Sequence, residues 1–211
     1  TQAGWDVKLM DDVLDGDWSV KINGLTQRSK LAYQTIPQNF RFEPGVTYKV
    51  SFDYQAGSDD TYGVVVGAGE YTGATNLETL KKSLGTTAHY EREIVGDITG
   101  QTWFGIYSTS TAPDLQGVNS SSAQANFGGY KELVLDNLVI EKVEQNITID
   151  TLKDLIATAE GYNKEDYTAA DWKKLDDALT KAKVAVNRDK TSADEIESAY
   201  YALNGAINYI A

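Results

Sequence analysis

Across residues 46–54 apolar and polar side chains alternate one for one, with Val46, Tyr48, Val50, Phe52 and Tyr54 on one side and Thr47, Lys49, Ser51 and Asp53 on the other. A period of two is that of an extended strand with one face buried. Pro44-Gly45 before the run and Ala56-Gly57-Ser58 after it supply the turns. Similar short runs recur at residues 18–22, 31–36, 62–66, 90–95, 103–107 and 133–143. About seven or eight short strands separated by turn residues predict an antiparallel β-sandwich. One stretch departs from the pattern: Leu77, Leu80 and Leu84 share a helical face, so residues 76–84 read as a helical insert. In the last run Leu133 and Leu135 lie in one register while Leu138 and Ile140 lie in the other. One extra residue flips the facing of a strand, so a bulge is expected at Asp136-Asn137.

After Val143 the period changes to that of a helix. Leu152, Leu155, Ile156 and Ala159 fall on one helical face, as do Trp172, Leu175, Leu179, Ala182 and Val186, and then Ile196, Ala199, Tyr200, Leu203 and Ile207. Thr168 with Asp171 and Ser192 with Glu195 stand at N-cap and N3 spacing, while Gly161 and residues 187–191 are suited to end helices. Sixteen of the eighteen glycines and all three prolines lie before the change. Since these residues punctuate turns and weaken element interiors, the shift predicts two separately folding units, a β-sandwich over residues 1–145 and a three-helix bundle over residues 146–211.

The formal charge of -12, with no basic block, argues against nucleic acid and anionic membrane as partners, because both select a positive footprint. The chain has no cysteine, which excludes disulfides, thiolate metal sites and cysteine nucleophiles. A cysteine-free, acidic chain rich in Tyr and Thr suits a bacterial exported protein. No apolar run approaches the ~18 residues that insertion into a bilayer needs. The opening Thr1-Gln2-Ala3-Gly4-Trp5 is no signal peptide, and the chain reads as a monomeric piece of something longer.

The string Glu43-Pro44-Gly45-Val46-Thr47-Tyr48-Lys49-Val50-Ser51-Phe52-Asp53-Tyr54, with Leu135-Asp136-Asn137-Leu138-Val139-Ile140-Glu141 about 80 residues later, resembles the galactose-binding-like jelly roll of carbohydrate-binding modules. More narrowly, residues 1–145 resemble the accessory sandwich of bacterial surface endo-α-N-acetylgalactosaminidases, which remove O-linked glycans from mucin-type glycoproteins. Tyr167-Thr168, Trp172, Leu175, Ala178-Leu179, Ala182, Ala199, Leu203 and Ala206 are similar in spacing to the FIVAR module of Gram-positive surface proteins. Together these resemblances imply a non-catalytic fragment of a secreted, wall-attached glycoside hydrolase. Its partners would be a host glycan or glycoprotein of galactose or N-acetylgalactosamine type and the other domains of the parent chain. Two other readings stay open: structural spacers that bind no sugar, and a protein-binding adhesin fragment.

Candidate chemistry is sparse. A single histidine, His89, without cysteine leaves no conventional triad or zinc cluster. The acid pairs Asp11-Asp12 and Asp59-Asp60 sit in turn-like segments, where solvation accounts for them. The Asp-rich stretch 11–17 fails as a calcium hand, because Val13 and Ile22 occupy ligand positions. The glycine-rich residues 67–73 lack phosphate-loop spacing. The jelly-roll resemblance implies a structural calcium between an early loop and the last strand, with Asp136 as ligand and Asp6 as its partner. An alternative role for Asp136 is to hydrogen-bond the bulge backbone. For a sugar, an exposed aromatic face with nearby polar groups is needed. If Phe104 and Ile106 face the core, Trp103 and Tyr107 face outward across bare Gly105, with Tyr90 and Arg92 of the preceding strand as flanking groups and Tyr62 as a further candidate.

Overall fold

The computed structural model of the 211-residue chain describes residues 13–22, 31–69, 76–108 and 133–211. Among these, eight strands precede three helices: β1 Val20–Ile22, β2 Leu31–Gln34, β3 Thr47–Ala56, β4 Tyr62–Ala68, β5 Asn76–Thr79, β6 Ala88–Val95, β7 Thr102–Ser108 and β8 Leu133–Lys142, then α1 Ile149–Glu160, α2 Ala169–Asn187 and α3 Ala193–Ile210. The strands form two antiparallel sheets, ordered β1-β8-β3-β6 and β2-β7-β4-β5. Of the consecutive strands only β4 and β5 pair with each other. The chain therefore passes repeatedly from one sheet to the other, which is the winding of a sandwich rather than a meander.

β3 is the long strand that alternation predicts. Tyr48, Val50, Phe52, Tyr54 and Ala56 are all buried, and Lys49, Ser51 and Asp53 on the opposite face are partly exposed. The Phe52 ring stacks on Tyr90 of β6 with centroids 4.9 Å apart. In the second sheet Val64, Phe104 and Ile106 are fully buried. Burying each such side chain contributes about 1.5–3 kcal/mol.

The expected helical insert is instead a strand. Residues 76–79 pair antiparallel with β4, Glu78 opposite Val64 and Leu77 opposite Val65, and form the outer strand of the second sheet. A leucine spacing compatible with a helix is outweighed here by pairing with β4. At the place expected for the bulge the backbone is irregular, Asn137 being left-handed with φ 50°. Residues 133–135 are buried, and beyond Asn137 the half-buried Leu138 and Ile140 alternate with exposed neighbours.

The contacts of the backbone divide the chain into two compact units. One comprises residues 1–40, 49–92 and 103–140; the other comprises residues 41–48, 93–102 and 141–211. In the second, the three amphipathic faces meet as expected, with Leu152, Ile156 and Ala159 of α1 against Leu175, Leu179 and Ala182 of α2 and Ala199, Leu203 and Ala206 of α3. Thr168 and Ser192 are the N-caps of α2 and α3, each accepting from the backbone N–H three residues on. A further capping box, Thr148 with Thr151, starts α1.

The same unit contains a close backbone seam. The Asn204 side chain donates to the Gly45 carbonyl at 2.7 Å, Asn208 donates to the Val95 carbonyl at 2.8 Å, and the Ile98 amide donates to the Gly205 carbonyl at 3.0 Å. A Cβ on Gly205 would lie 2.9 Å from the Gly45 nitrogen, and one on Gly45, whose φ is 74°, only 1.8 Å from the Tyr201 carbonyl oxygen. The residues 96–102 turn is held by Asp97, buried at 2 % exposure, whose carboxylate accepts from the Thr99 amide and from the Thr99 and Thr102 hydroxyls.

Candidate functional site

Trp103, Gly105 and Tyr107 share one face of β7, as alternation requires. Their two rings meet edge to face with centroids 6.3 Å apart. A Cβ on Gly105 would lie 2.4 Å from the Tyr107 ring, and one on Gly67 of β4 would lie 2.6 Å from the Trp103 indole. The rings thus lie down on a strip of sheet that carries no side chains of its own. The Tyr107 hydroxyl donates to the Gln34 side chain of β2. What the structure lacks is the expected exposure. Trp103 is 3 % and Tyr107 7 % exposed, while Phe104 and Ile106 on the other face are at 0 %. β7 is an inner strand of its sheet, and both of its faces are withdrawn from water, so the aromatic pair packs as core.

The proposed flanking residues are elsewhere. Tyr90 and Arg92 belong to β6, which lies in the first sheet, so they do not stand beside β7. The buried Tyr90 hydroxyl donates to Glu78 of β5 at 2.8 Å, and Arg92 approaches the same carboxylate at 3.9 Å. Burial, reinforced by Glu78, pushes the Tyr90 phenol well above its ordinary pKa. Tyr62 is buried at 2 % exposure, and its place in β4 is opposite in facing to Gly67 and the indole. Of the five residues expected to bind sugar, only Arg92 keeps much of its side chain in water.

Asp136, in β8, holds the loop before β1. One of its carboxylate oxygens accepts from the Ser19 hydroxyl at 2.6 Å and from the Asp15 amide at 3.1 Å, and the other accepts from the Asn137 amide at 2.7 Å. The Ser19 hydrogen bond, helped by the two amides, holds this carboxyl below the ordinary carboxylate range. Ser19 in turn accepts from the Leu14 amide at 2.8 Å, which closes the loop on itself. N–H and O–H donors thus engage both oxygens of Asp136, tying the loop to the strand. Among the described residues no three His, Cys, Asp or Glu side chains are grouped so as to hold a metal ion. Asp6, the second expected ligand, lies outside the described residues, as do Asp11 and Asp12.

From Asp136 the polar network continues onto β3. The Asn137 side chain donates to Asp53 at 2.9 Å and to Asp15 at 3.3 Å, and His89 stands 2.8 Å from the other Asp53 oxygen. Asn137 first, and His89 second, hold the Asp53 carboxyl below its ordinary pKa. The Asp59-Asp60 pair is a turn device: Asp59 accepts from the Lys82 amide, and Asp60 accepts from Thr79 and pairs with Lys81 at 2.7 Å.

Sequence reasoning missed an aromatic group that is exposed among the described residues. Trp18, between the tied residues Asp15 and Ser19, is 86 % exposed. Leaving an indole of ~200 Å² in water forgoes several kcal/mol at ~25 cal/mol/Å². Its placement in an alternating run next to Val20 suggested a buried strand position; the polar residues Asp15, Gly16, Asp17 and Ser19 around it were the available sign of a loop.

A family model described as galactose-binding domain-like matches residues 1–129, more than half of the chain. The chain belongs to that family. The chain is also similar to a curated relative. Over 144 residues, 67 % of this galactose-binding domain-like chain, it is 26 % identical to a Renibacterium salmoninarum protein provisionally named an endo-alpha-N-acetylgalactosaminidase. The match spans 8 % of that protein's length. Among solved structures, a CBM4 module overlaps at a TM-score of 0.32 with 11 % identity, covering 49 % of this chain and 57 % of its own. The CBM51-2 and INT domains of Clostridium perfringens ZmpB, solved alone and with GlcNAc, overlap at 0.27 with 14 % identity. They cover 76 % and 79 % of this chain and 32 % and 33 % of theirs. These overlaps are too slight to say more than that. Among the described residues no helix is long and apolar enough to cross a membrane.

Proposed function

We propose that this chain is a non-catalytic accessory part of a longer bacterial glycoside hydrolase that acts on O-linked glycans outside the cell. In this reading the sandwich binds or presents a galactose-type or N-acetylgalactosamine-type glycan, and the helices serve as a spacer or interaction module of FIVAR type. The observation that carries it is the galactose-binding domain-like match over residues 1–129. The relative's name supports the choice of parent activity, and the small share of that relative which the chain spans supports an accessory place within it.

The test is calorimetric titration of the intact chain with galactose, N-acetylgalactosamine and short O-glycans built from them. Binding with a Kd in the micromolar to millimolar range is expected. A flat response at millimolar sugar, with the chain shown to be folded by its melting transition, would leave the structural-spacer reading in its place.

A further inference from the structure

We infer that the loop carrying Trp18 is a binding site for a neutral pyranose, with the indole as its stacking platform. The inference rests on the carbohydrate-binding reading above and adds its location and the charge class of the ligand. Trp18 is the most exposed large apolar side chain among the described residues, at 86 %. It is held there by a built loop and not by a frayed end. Leu14 is tied to Ser19, Asp15 and Ser19 are tied to Asp136 of the last strand, and Gly16, at φ 59°, donates to the Asp15 carboxylate at 2.9 Å. Those bonds fix the backbone on both sides of Trp18, so the ordering of the loop does not have to be supplied on binding.

The surroundings select the ligand. A flat aromatic face takes up the C–H patch of a sugar ring, and neighbouring carboxylates and amides accept from or donate to its hydroxyls. Beside Trp18 those groups are Asp15 and Asp17 on the loop itself. With these two carboxylates and a chain of net charge -12, a sialylated or sulfated sugar meets like charge, whereas a neutral galactose-type ring does not. An apolar protein partner fits less well, since the residues that flank the indole, Asp17 and Ser19, are polar.

The experiment compares the intact chain with W18A and W18F, titrating methyl β-galactoside, N-acetylgalactosamine, lactose and 3′-sialyllactose by calorimetry, with melting curves as a folding control. Because the side chain is exposed, both variants should melt with the parent. Binding of the neutral sugars should weaken about tenfold or more in W18A and be largely kept in W18F. The parent chain should bind lactose more tightly than 3′-sialyllactose. If the parent binds neutral sugar and W18A binds it equally, the Trp18 assignment is wrong while the carbohydrate-binding function stands. If the parent binds no sugar, both fall. Tighter binding of 3′-sialyllactose overturns the charge selection, and sugar-independent self-association lost in W18A would reassign the indole to a contact between copies of this chain.

Discussion

Asp136 shows how much one carboxylate can organise. It accepts from Ser19, Asp15 and Asn137, and so joins the loop before β1 to β8. Replacing it with Ala removes those acceptors and should cost about 1–2 kcal/mol, with the Asp15 amide losing its protection from hydrogen exchange. D136N keeps an acceptor oxygen and should cost less. The pH dependence follows from the direction of the shift. Asp136 and Asp53 are both held below the ordinary carboxylate pKa. A carboxylate depressed in the folded state stabilises fully above its unfolded value of about 3.9, and this is lost as pH falls through the lower folded value. Protection of the Asp15 amide should therefore be constant from neutrality down to about pH 5 and decline below about pH 4, and D136N should flatten that decline. A decline that is the same in D136N would remove Asp136 from the account.

At the scale of elements, what the sequence shows and what it hides divide along the range of the interaction. The strand β3, the irregular backbone at Asn137 and the capped starts of α2 and α3 were all legible, because each is set by neighbours within a few residues. T168A and S192A should each cost about 1 kcal/mol, and thermal melting should show each as a shift of about 2–4 °C. By contrast, the leucine spacing of residues 76–84 reads as helix because the pairing of β5 with β4 leaves no mark in that spacing. The aromatic platform on β7 failed for a related reason. Alternation correctly placed Trp103 and Tyr107 on one face of their strand, but a period of two cannot say whether the second face of a sheet meets water. Trp18 is the mirror image, an indole in an apparent strand run that the fold leaves in solvent at 86 % exposure.

For the molecule as a whole, the change of period after Val143 locates the switch from strands to helices, but it cannot show that residues 41–48 and 93–102 pack in the same compact unit as those helices. Gly45 and Gly205 are what that packing depends on. In an isolated helix Ala in place of Gly205 would be favoured by about 1 kcal/mol. In this unit the added Cβ meets the Gly45 nitrogen at 2.9 Å and the Ile98 nitrogen at 3.2 Å, so G205A should destabilise despite the better propensity. G45A should be worse, by more than about 3 kcal/mol, since it combines a positive φ with a 1.8 Å approach to the Tyr201 carbonyl oxygen. Cutting the chain after Gln145 removes Asn204, Asn208 and the Gly205 carbonyl, and leaves the Gly45 and Val95 carbonyls and the Ile98 amide to find water instead. The shortened chain should melt several degrees below the intact one, with faster hydrogen exchange at Ile98. If its remaining transition is unmoved and Ile98 stays protected, residues 41–48 and 93–102 draw their stability from the strands alone, and the glycine seam does not hold them.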